Sequence, residues 1–363
     1  MNKRVLIVVN DFTTVYNFRI ELVEYLLKMG EEVYIALPND ERNHLLSEKG
    51  AKVIDLKMNR FGTNPVEDFK TTLAIRKIIK EVKPNVVFTY TAKPNIYGGL
   101  ACRITKTPYV ANVTGLGANF EKQNIIAKIM LILQKIAYKK AKMVFFQNSS
   151  NLNFFKEKKV VKENFGLLPG SGVNLESNPF EEYPSNDITK FITIARVRKD
   201  KGYDELFYAI DKATKNGLNA EFHIVGWYED DEYKAKVEAF KDNKNVVFYN
   251  GVPHEEVHKL LTKSDCLIHP SHHEGMSNVV LEAAACGRGA IVSNIPGCVE
   301  GVNNNETGFY FTVKDKDDLY LKISEFCNLP YEEKSKMGKL AREKIEKEFS
   351  RQIIINKYYE FLK

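Results

Sequence analysis

What this chain lacks narrows it first. Its five cysteines, Cys102, Cys266, Cys286, Cys298 and Cys327, are scattered and odd in number, with no CxxC pair. That argues against a disulfide framework and for reduced thiols in a cytosolic setting. The apolar run behind Lys3 and Arg4 stops at Asn10-Asp11, too short for a signal segment with its cleavage site. No stretch reaches the length of a membrane span. These absences predict a cytoplasmic chain. There is no short repeat and no low-complexity tract. Net charge is only +6, too mild to imply nucleic acid, though it favours anionic small molecules or an anionic membrane face.

What is present is a chain of 363 residues, 44% hydrophobic and 28% charged, long enough for two domains with their own cores. "RVLIVV", "EVYIAL", "KVIDL", "NVVFTY", "YVANV" and "KMVFFQ" are short, β-branched, apolar runs of the kind that form strands buried on both faces. Between them lie helical patterns. "FRIELVEYLLKMG" stops at Gly30, "PVEDFKTTLAIRKIIKEVK" starts on Pro65, and the longest runs from about Lys122 to Lys139. The alternation is lost in "GLLPGSGVNLESNPFEEYPSND", then resumes with the strands "FITIAR", "EFHIVG", "NVVFYNG", "DCLIHP" and "AIVSNI". The prediction is an α/β chain of two Rossmann-like halves, each a doubly wound parallel sheet, the two facing a central cleft. The first domain spans residues 1–169 and the second 187–347, with 170–186 as linker. The tail from Tyr331 is helical, and residues 348–363 are a candidate to cross back onto the first half.

Ligands of such sheets sit outside the carboxyl ends of the strands, so the loops after strands carry the information. "HPSHHEGMSNVVLEAAACG" places Glu274 in a polar turn and Glu282 eight positions later inside an apolar helix. A helix start at that point offers backbone N–H groups and partial positive charge to a phosphate. Glu274, just before it, is placed to accept from hydroxyls. A carboxylate at Glu282 is costly unless donors satisfy it; a ribose diol supplies two, and a structural arginine is the other solution. In "IARVRKDKGYDELF", Arg196 and Lys201 follow a strand and precede a helix. Two cations there suit a diphosphate that gathers charge as it leaves; a solvated turn is the plain alternative. Gly226 in "HIVGWYED" allows close backbone approach, and Gly251 with Val252 in "NGVPHEE" is a backbone site for a base.

These residues resemble the family 4 retaining glycosyltransferases of the GT-B fold. The resemblance rests on E-x7-E at Glu274 and Glu282, R-x4-K at Arg196 and Lys201, and Gly202 after it. "GLGANF" and "PGCVEGVNNNETGFYF" look like the branch that builds capsules, O-antigens and lipid-linked glycans, close to its N-acetylgalactosaminyltransferases. The resemblance implies transfer of a sugar from a UDP donor, with retention, to a lipid-diphosphate-linked acceptor, with no metal and no other cofactor. It implies that Arg196 and Lys201 hold the donor diphosphate and that Glu282 binds ribose. Glu274, with the backbone of Gly275, Met276, Ser277 and Asn278, would hold sugar hydroxyls and phosphates; apart from the resemblance, His273 just past a strand end is placed to touch the sugar. On the acceptor side it points to Tyr16, Asn17 and Arg19 of "YNFR", and to Thr114 and Gly115. Two departures matter. The Gly-Gly loop of many relatives after the first strand is here "NDFTTVYNFR". The histidine many carry after the fourth strand is missing from "TYTAKPNIYGG", leaving Lys93 and Asn95 as polar candidates.

Rival signals stand beside this reading. "HEEVH", His254 to His258, matches H-E-x-x-H, a zinc hydrolase motif. It sits at a helix start behind Pro253, where acidic residues also serve the helix dipole. His269, His272 and His273 read as a metal site or as side chains lining the cleft. "DKDD", Asp315 to Asp318, contains D-x-D, which a helix N-terminus explains. Gly115-Leu116-Gly117 lacks the third glycine of a dinucleotide fingerprint. "NIIAKIMLILQKIAYKKAKM" reads as a packed helix with lysines on its wet side or as a membrane-surface helix. A nucleotide-sugar epimerase of the same fold, and a sugar-nucleotide binder without turnover, are the other functional alternatives.

Overall fold

Among the described residues thirteen strands, all parallel to their neighbours, form two sheets. The computed structural model describes residues 2–59, 64–115, 125–228, 231–240 and 242–363, save the side chains of His254 and Glu255. The first sheet comprises β1 (Arg4–Val8), β2 (Glu32–Leu37), β3 (Lys52–Asp55), β4 (Val86–Tyr90), β5 (Tyr109–Val113), β6 (Met143–Phe146) and β7 (Phe165–Leu167), in the order 3-2-1-4-5-6-7. The second comprises β8 (Thr189–Ile194), β9 (Ala220–Gly226), β10 (Val246–Asn250), β11 (Cys266–His269), β12 (Gly289–Ser293) and β13 (Gly308–Phe311), in the order 10-9-8-11-12-13. Strand order reverses between β1 and β4 and again between β8 and β11. The carboxyl ends of the strands at such a reversal are where ligands of these sheets bind.

The apolar runs are buried on both faces because helices cover both. Val5, Leu6, Ile7 and Val8 of β1 are fully enclosed, divided by the pleat between two cores, one on each side of the sheet. One core is closed by the helices Pro65–Val82 and Ile125–Tyr138, the other by Ile20–Lys28 and Arg351–Tyr359. Asn64 caps the first of these by accepting from Val66 N and Glu67 N.

The chain divides into one unit of Met1–Ser171 with Arg351–Lys363, and another of Gly172–Ser350. In the first, Tyr358 of the last helix packs edge-on against Phe88 of β4, ring centres 4.9 Å apart, and its hydroxyl accepts from Asn112 Nδ2 at 2.8 Å. The Gly- and Pro-rich residues after Ser171 are held on the second unit. The hydroxyl of buried Tyr183 donates to Asp265 O at 3.0 Å, and the Arg288 guanidinium donates to Glu181 O and Glu182 O.

Candidate active site

In the second unit the pairing of β8 with β11, Phe191 opposite Cys266, brings together the loops that follow both. After β8 come Arg196, a 3₁₀ turn over Lys199–Lys201 and then Gly202 at φ +74°. After β11 come Pro270 to Ser277 and the helix Asn278–Ala285. The two loops are locked to each other. His272 N donates to Asp200 O at 2.9 Å, and a Cβ on Gly202 would stand 2.0 Å from Pro270 O. Glycine is therefore needed there twice, for its positive φ and for the close approach.

That lock puts the Lys201 ammonium 2.7 Å from Glu274 Oε1 and 3.4 Å from Ser271 Oγ. Each of the two charged side chains is only 15% exposed. His269, the buried last residue of β11, places Nε2 at 3.0 Å from the same Glu274 oxygen and 3.1 Å from Ser277 Oγ. An ionised carboxylate only accepts, so Nε2 carries the proton. Burial alone would raise the Glu274 pKa. The His269 hydrogen bond, the His269 charge and the Lys201 ammonium outweigh it and take the group from 4.5 down to about 2. Gly297, at φ +88°, backs the carboxylate: a Cβ there would lie 2.8 Å from Glu274 Cβ. The group is thus ionised, desolvated and fixed in place.

Ser277 precedes the helix with its hydroxyl turned to His269 instead of capping the first turn, and that turn holds no acidic residue. Glu282 is half-buried between Leu281 and Ala283, both enclosed. Arg196 is half-buried beyond β8 and His273 is exposed. Gly251 stands in the left-handed region, with open space where a Cβ would go. Its N–H donates to Gly226 O at 3.3 Å. Val252 is half-buried against the core.

The structure sharpens several expectations. A Cβ on Gly226 would stand 2.1 Å from Ala195 O, so strand packing by itself requires glycine there. Met276 turns its side chain into the core with Val173 and Leu281, which agrees with the expectation that only its backbone meets a ligand. The three histidines part ways, His272 pairing with Glu205 at 3.1 Å. Among the described residues no group of three potential ligands could hold a metal. His258 lies in the helix that begins at His254, whose side chain is outside the described residues. Asp315 caps the helix Lys316–Cys327, accepting from Asp317 N and Asp318 N.

In the first unit the loops after β1 and β4 meet at the corresponding switch point. "DFTTVY" is a short helix, Phe12–Tyr16, capped by Asp11; Tyr16 stacks on Phe12 and Asn17 is exposed at its end. Arg19 is 2% exposed, its guanidinium 4.7 Å from the centre of the Tyr90 ring, with Nη1 donating to Phe18 O. Lys93 Nζ pairs with Asp68 at 3.3 Å. Asn95 does not serve as an acceptor-side group. Pro94–Gly98 coils into a π-helical turn that drives its amide inward, where it accepts from Thr89 Oγ1 and donates to Asn112 O, both at 2.7 Å. Thr114 and Gly115 are half-buried just past β5; the rest of "GLGANF" lies outside the described residues. Sequence reasoning had His269 only as a cleft-lining or metal-binding histidine, not as the partner of Glu274, and did not single out Ser271. The signal for His269 was present, a polar residue closing an otherwise apolar strand.

Comparison with known proteins places this geometry. Residues 176–344 match the family Glycosyl transferases group 1, and residues 4–148 match Glycosyl transferase 4-like. The chain is 30% identical over 328 residues to the N,N'-diacetylbacillosaminyl-diphospho-undecaprenol alpha-1,3-N-acetylgalactosaminyltransferase of Campylobacter jejuni subsp. jejuni serotype O:2, covering 86% of each. It is 26% identical over 347 residues to the capsular polysaccharide biosynthesis glycosyltransferase CapM of Staphylococcus aureus, covering 92% of this chain and 90% of CapM. Its fold matches Anabaena Alr3699/HepE, crystallised in complex with UDP, with TM-score 0.81, 15% identity and 99% of both chains covered. The two Rossmann-like sheets are those of the GT-B fold.

Proposed function

The chain belongs to the group 1 glycosyl transferases, and from that premise we propose that it moves an N-acetylhexosamine such as GalNAc from a UDP-sugar to a lipid-diphosphate-linked glycan in bacterial surface polysaccharide synthesis. The observation that carries the reading is the Lys201–Glu274 pair, 2.7 Å apart and desolvated at the β8/β11 switch point. Lys201 and Arg196 face the diphosphate, aided by the start of Asn278–Ala285. Electrostatic groups fixed in advance are worth most where charge develops. As the bond from the anomeric carbon to the phosphate oxygen breaks, the electron pair goes to UDP. The acceptor hydroxyl bonds to that carbon on the face the phosphate leaves, and its proton passes to the departing phosphate oxygen. Retention follows. Glu274 orients Lys201 through Oε1 and meets sugar hydroxyls through its other oxygen, while Glu282 takes the two ribose hydroxyls. The cationic side chains and the helix N-terminus meet the diphosphate charge, so no metal enters the scheme. His273 contacts the sugar, and the backbone around Gly251 and Val252 receives the base. Tyr16, Asn17, Lys93, Thr114 and Gly115 form the acceptor side, with Arg19 supporting it from beneath.

The test is UDP release from UDP-GalNAc, UDP-GlcNAc and their N-acetyl-free counterparts, with and without a polyprenyl-diphosphate-linked saccharide. Release only with acceptor, an α-linked product by NMR, and full activity in EDTA are expected. Release without acceptor would replace the transferase reading with the epimerase or a hydrolase. A preference for GDP- or ADP-sugars would overturn the uracil assignment.

A further inference from the structure

Two helices of the first unit wear apolar residues on their outer faces. In Ile125–Tyr138 the buried side chains are Ala127, Gln134, Ala137 and Tyr138. Opposite them, at the spacing of one helix face, run Ile125, Ile129, Ile132 and Ile136, all exposed, Ile125 by 74% and Ile132 by 59%. A helix packed on a core and otherwise wet shows the reverse pattern. Exposed Lys128 and Lys135 flank this stripe and exposed Lys139, Lys140 and Lys142 follow it, with no acidic residue from 125 to 142. The helix Pro65–Val82 repeats the inversion in its first half. Val66, Phe69 and Leu73 are exposed, Phe69 by 64%, while Asp68, Thr71 and Thr72 are buried.

Both helices cover the same face of the sheet, and the segment Pro94–Thr105 packs against each of them. Each enters from the carboxyl end of a strand, one following β3 and the other β5. Val66, Phe69, Ile125 and Ile129 therefore stand toward the end of the unit where the acceptor-side loops emerge.

We propose that this face docks on the surface of an anionic lipid bilayer, the isoleucines and Phe69 entering the acyl boundary and the lysines meeting the headgroups. An apolar patch rimmed by charge marks an interaction surface. The lysines from Lys128 to Lys142, unopposed by any acidic residue in their own segment and outnumbering the one exposed acidic residue at the start of the other helix, Glu67, select an anionic one, and a bilayer surface attracts each lysine additively. The helices lie on the membrane: among the described residues none is long and apolar enough to cross one. The choice of lipid over a second protein rests also on the proposed lipid-linked acceptor, because docking here brings the acceptor-side loops to where such a molecule resides.

The experiment pellets the full chain with vesicles of phosphatidylcholine alone and of phosphatidylcholine with phosphatidylglycerol. Partition onto the anionic vesicles should be at least about tenfold stronger and should fall with salt. The triple variant I125Q/I129Q/I132Q should lower it by about tenfold or more, with thermal unfolding unchanged because the side chains are exposed. K128E/K135E should lower it comparably. Equal partition of wild type and triple variant would overturn the proposal, as would a wild-type dimer that the triple variant dissociates. Transfer to a lipid-linked acceptor without preferential vesicle binding would remove the docking face and leave the activity standing. Binding without transfer to any such acceptor would do the opposite.

Discussion

At the residue scale, Glu274, Lys201 and Glu282 do three separable things. Lys201 is held by Glu274 before any ligand arrives, so its truncation should act on the charge that grows during bond breaking. Lys201→Ala is expected to lower kcat by about a hundredfold or more while donor affinity falls less than about tenfold; equal losses would mean ground-state binding only. Glu282→Ala should weaken UDP about tenfold or more, since hydrogen bonds to a charged acceptor are the stronger kind; unchanged calorimetric affinity would remove the ribose role. Glu274 titrates at about 2 in the folded chain against 4.5 ordinarily. A depressed carboxyl contributes its stability fully above the unfolded value and loses it as pH falls toward the folded one. The stability of wild type relative to Glu274→Gln should therefore fall as pH drops below about 4.5, by on the order of 3 kcal/mol once the carboxyl is fully protonated, as denaturant titrations at stepped pH would show. These charged residues were legible because carboxylates and cations at strand ends and in an apolar helix need a reason. His269 was harder: its partner lies five residues away across a turn, and only the fold shows the ring turned toward it. Asn95 misled because a loop rich in polar residues does not reveal that a π turn will drive one of them into the core.

At the scale of elements, alternation of apolar runs with helical periodicity marked eleven of the thirteen strands of the described residues. The two it passed over, β7 and β13, are the sheet's edges on that side, three and four residues long. An edge strand has one neighbour and too few residues to show a period. The short helix Phe12–Tyr16 escaped because five residues hold little more than one turn. The junction between β8 and its helix is the element most exposed to a single change. Gly202→Ala would meet Pro270 O and also hold alanine at φ +74°. A cost of about 2–4 kcal/mol is expected, with donor affinity falling alongside, because Lys201 precedes the glycine directly. A drop of several degrees in Tm would confirm it; an unchanged Tm would mean the two loops separate readily.

At the scale of the whole molecule, the chain leaves its first unit at Ser171 and returns at Arg351. The last thirteen residues are therefore core to a unit begun at the amino end. Ile354, Ile355, Tyr358 and Leu362 are enclosed with β1, β2 and β4, Asn112 donates to the Tyr358 hydroxyl, and Arg351 pairs with Glu21. Stripping one large buried side chain costs about 3–5 kcal/mol, and a whole domain is stable by only about 5–15 kcal/mol. A chain ending at Ser350 should consequently lose its first unit, while Gly172–Ser350 keeps its own cores and the Lys201–Glu274 pair. One cooperative calorimetric transition, still raised by UDP, is the expected result, together with loss of transfer. Tyr358→Phe, which removes the hydroxyl that accepts from Asn112 but keeps the ring, should cost about 1 kcal/mol and leave both units folded. If the truncated chain melted as wild type does, the returning helix would contribute nothing to the first unit. If UDP no longer raised its transition, nucleotide binding would depend on more than the second unit alone.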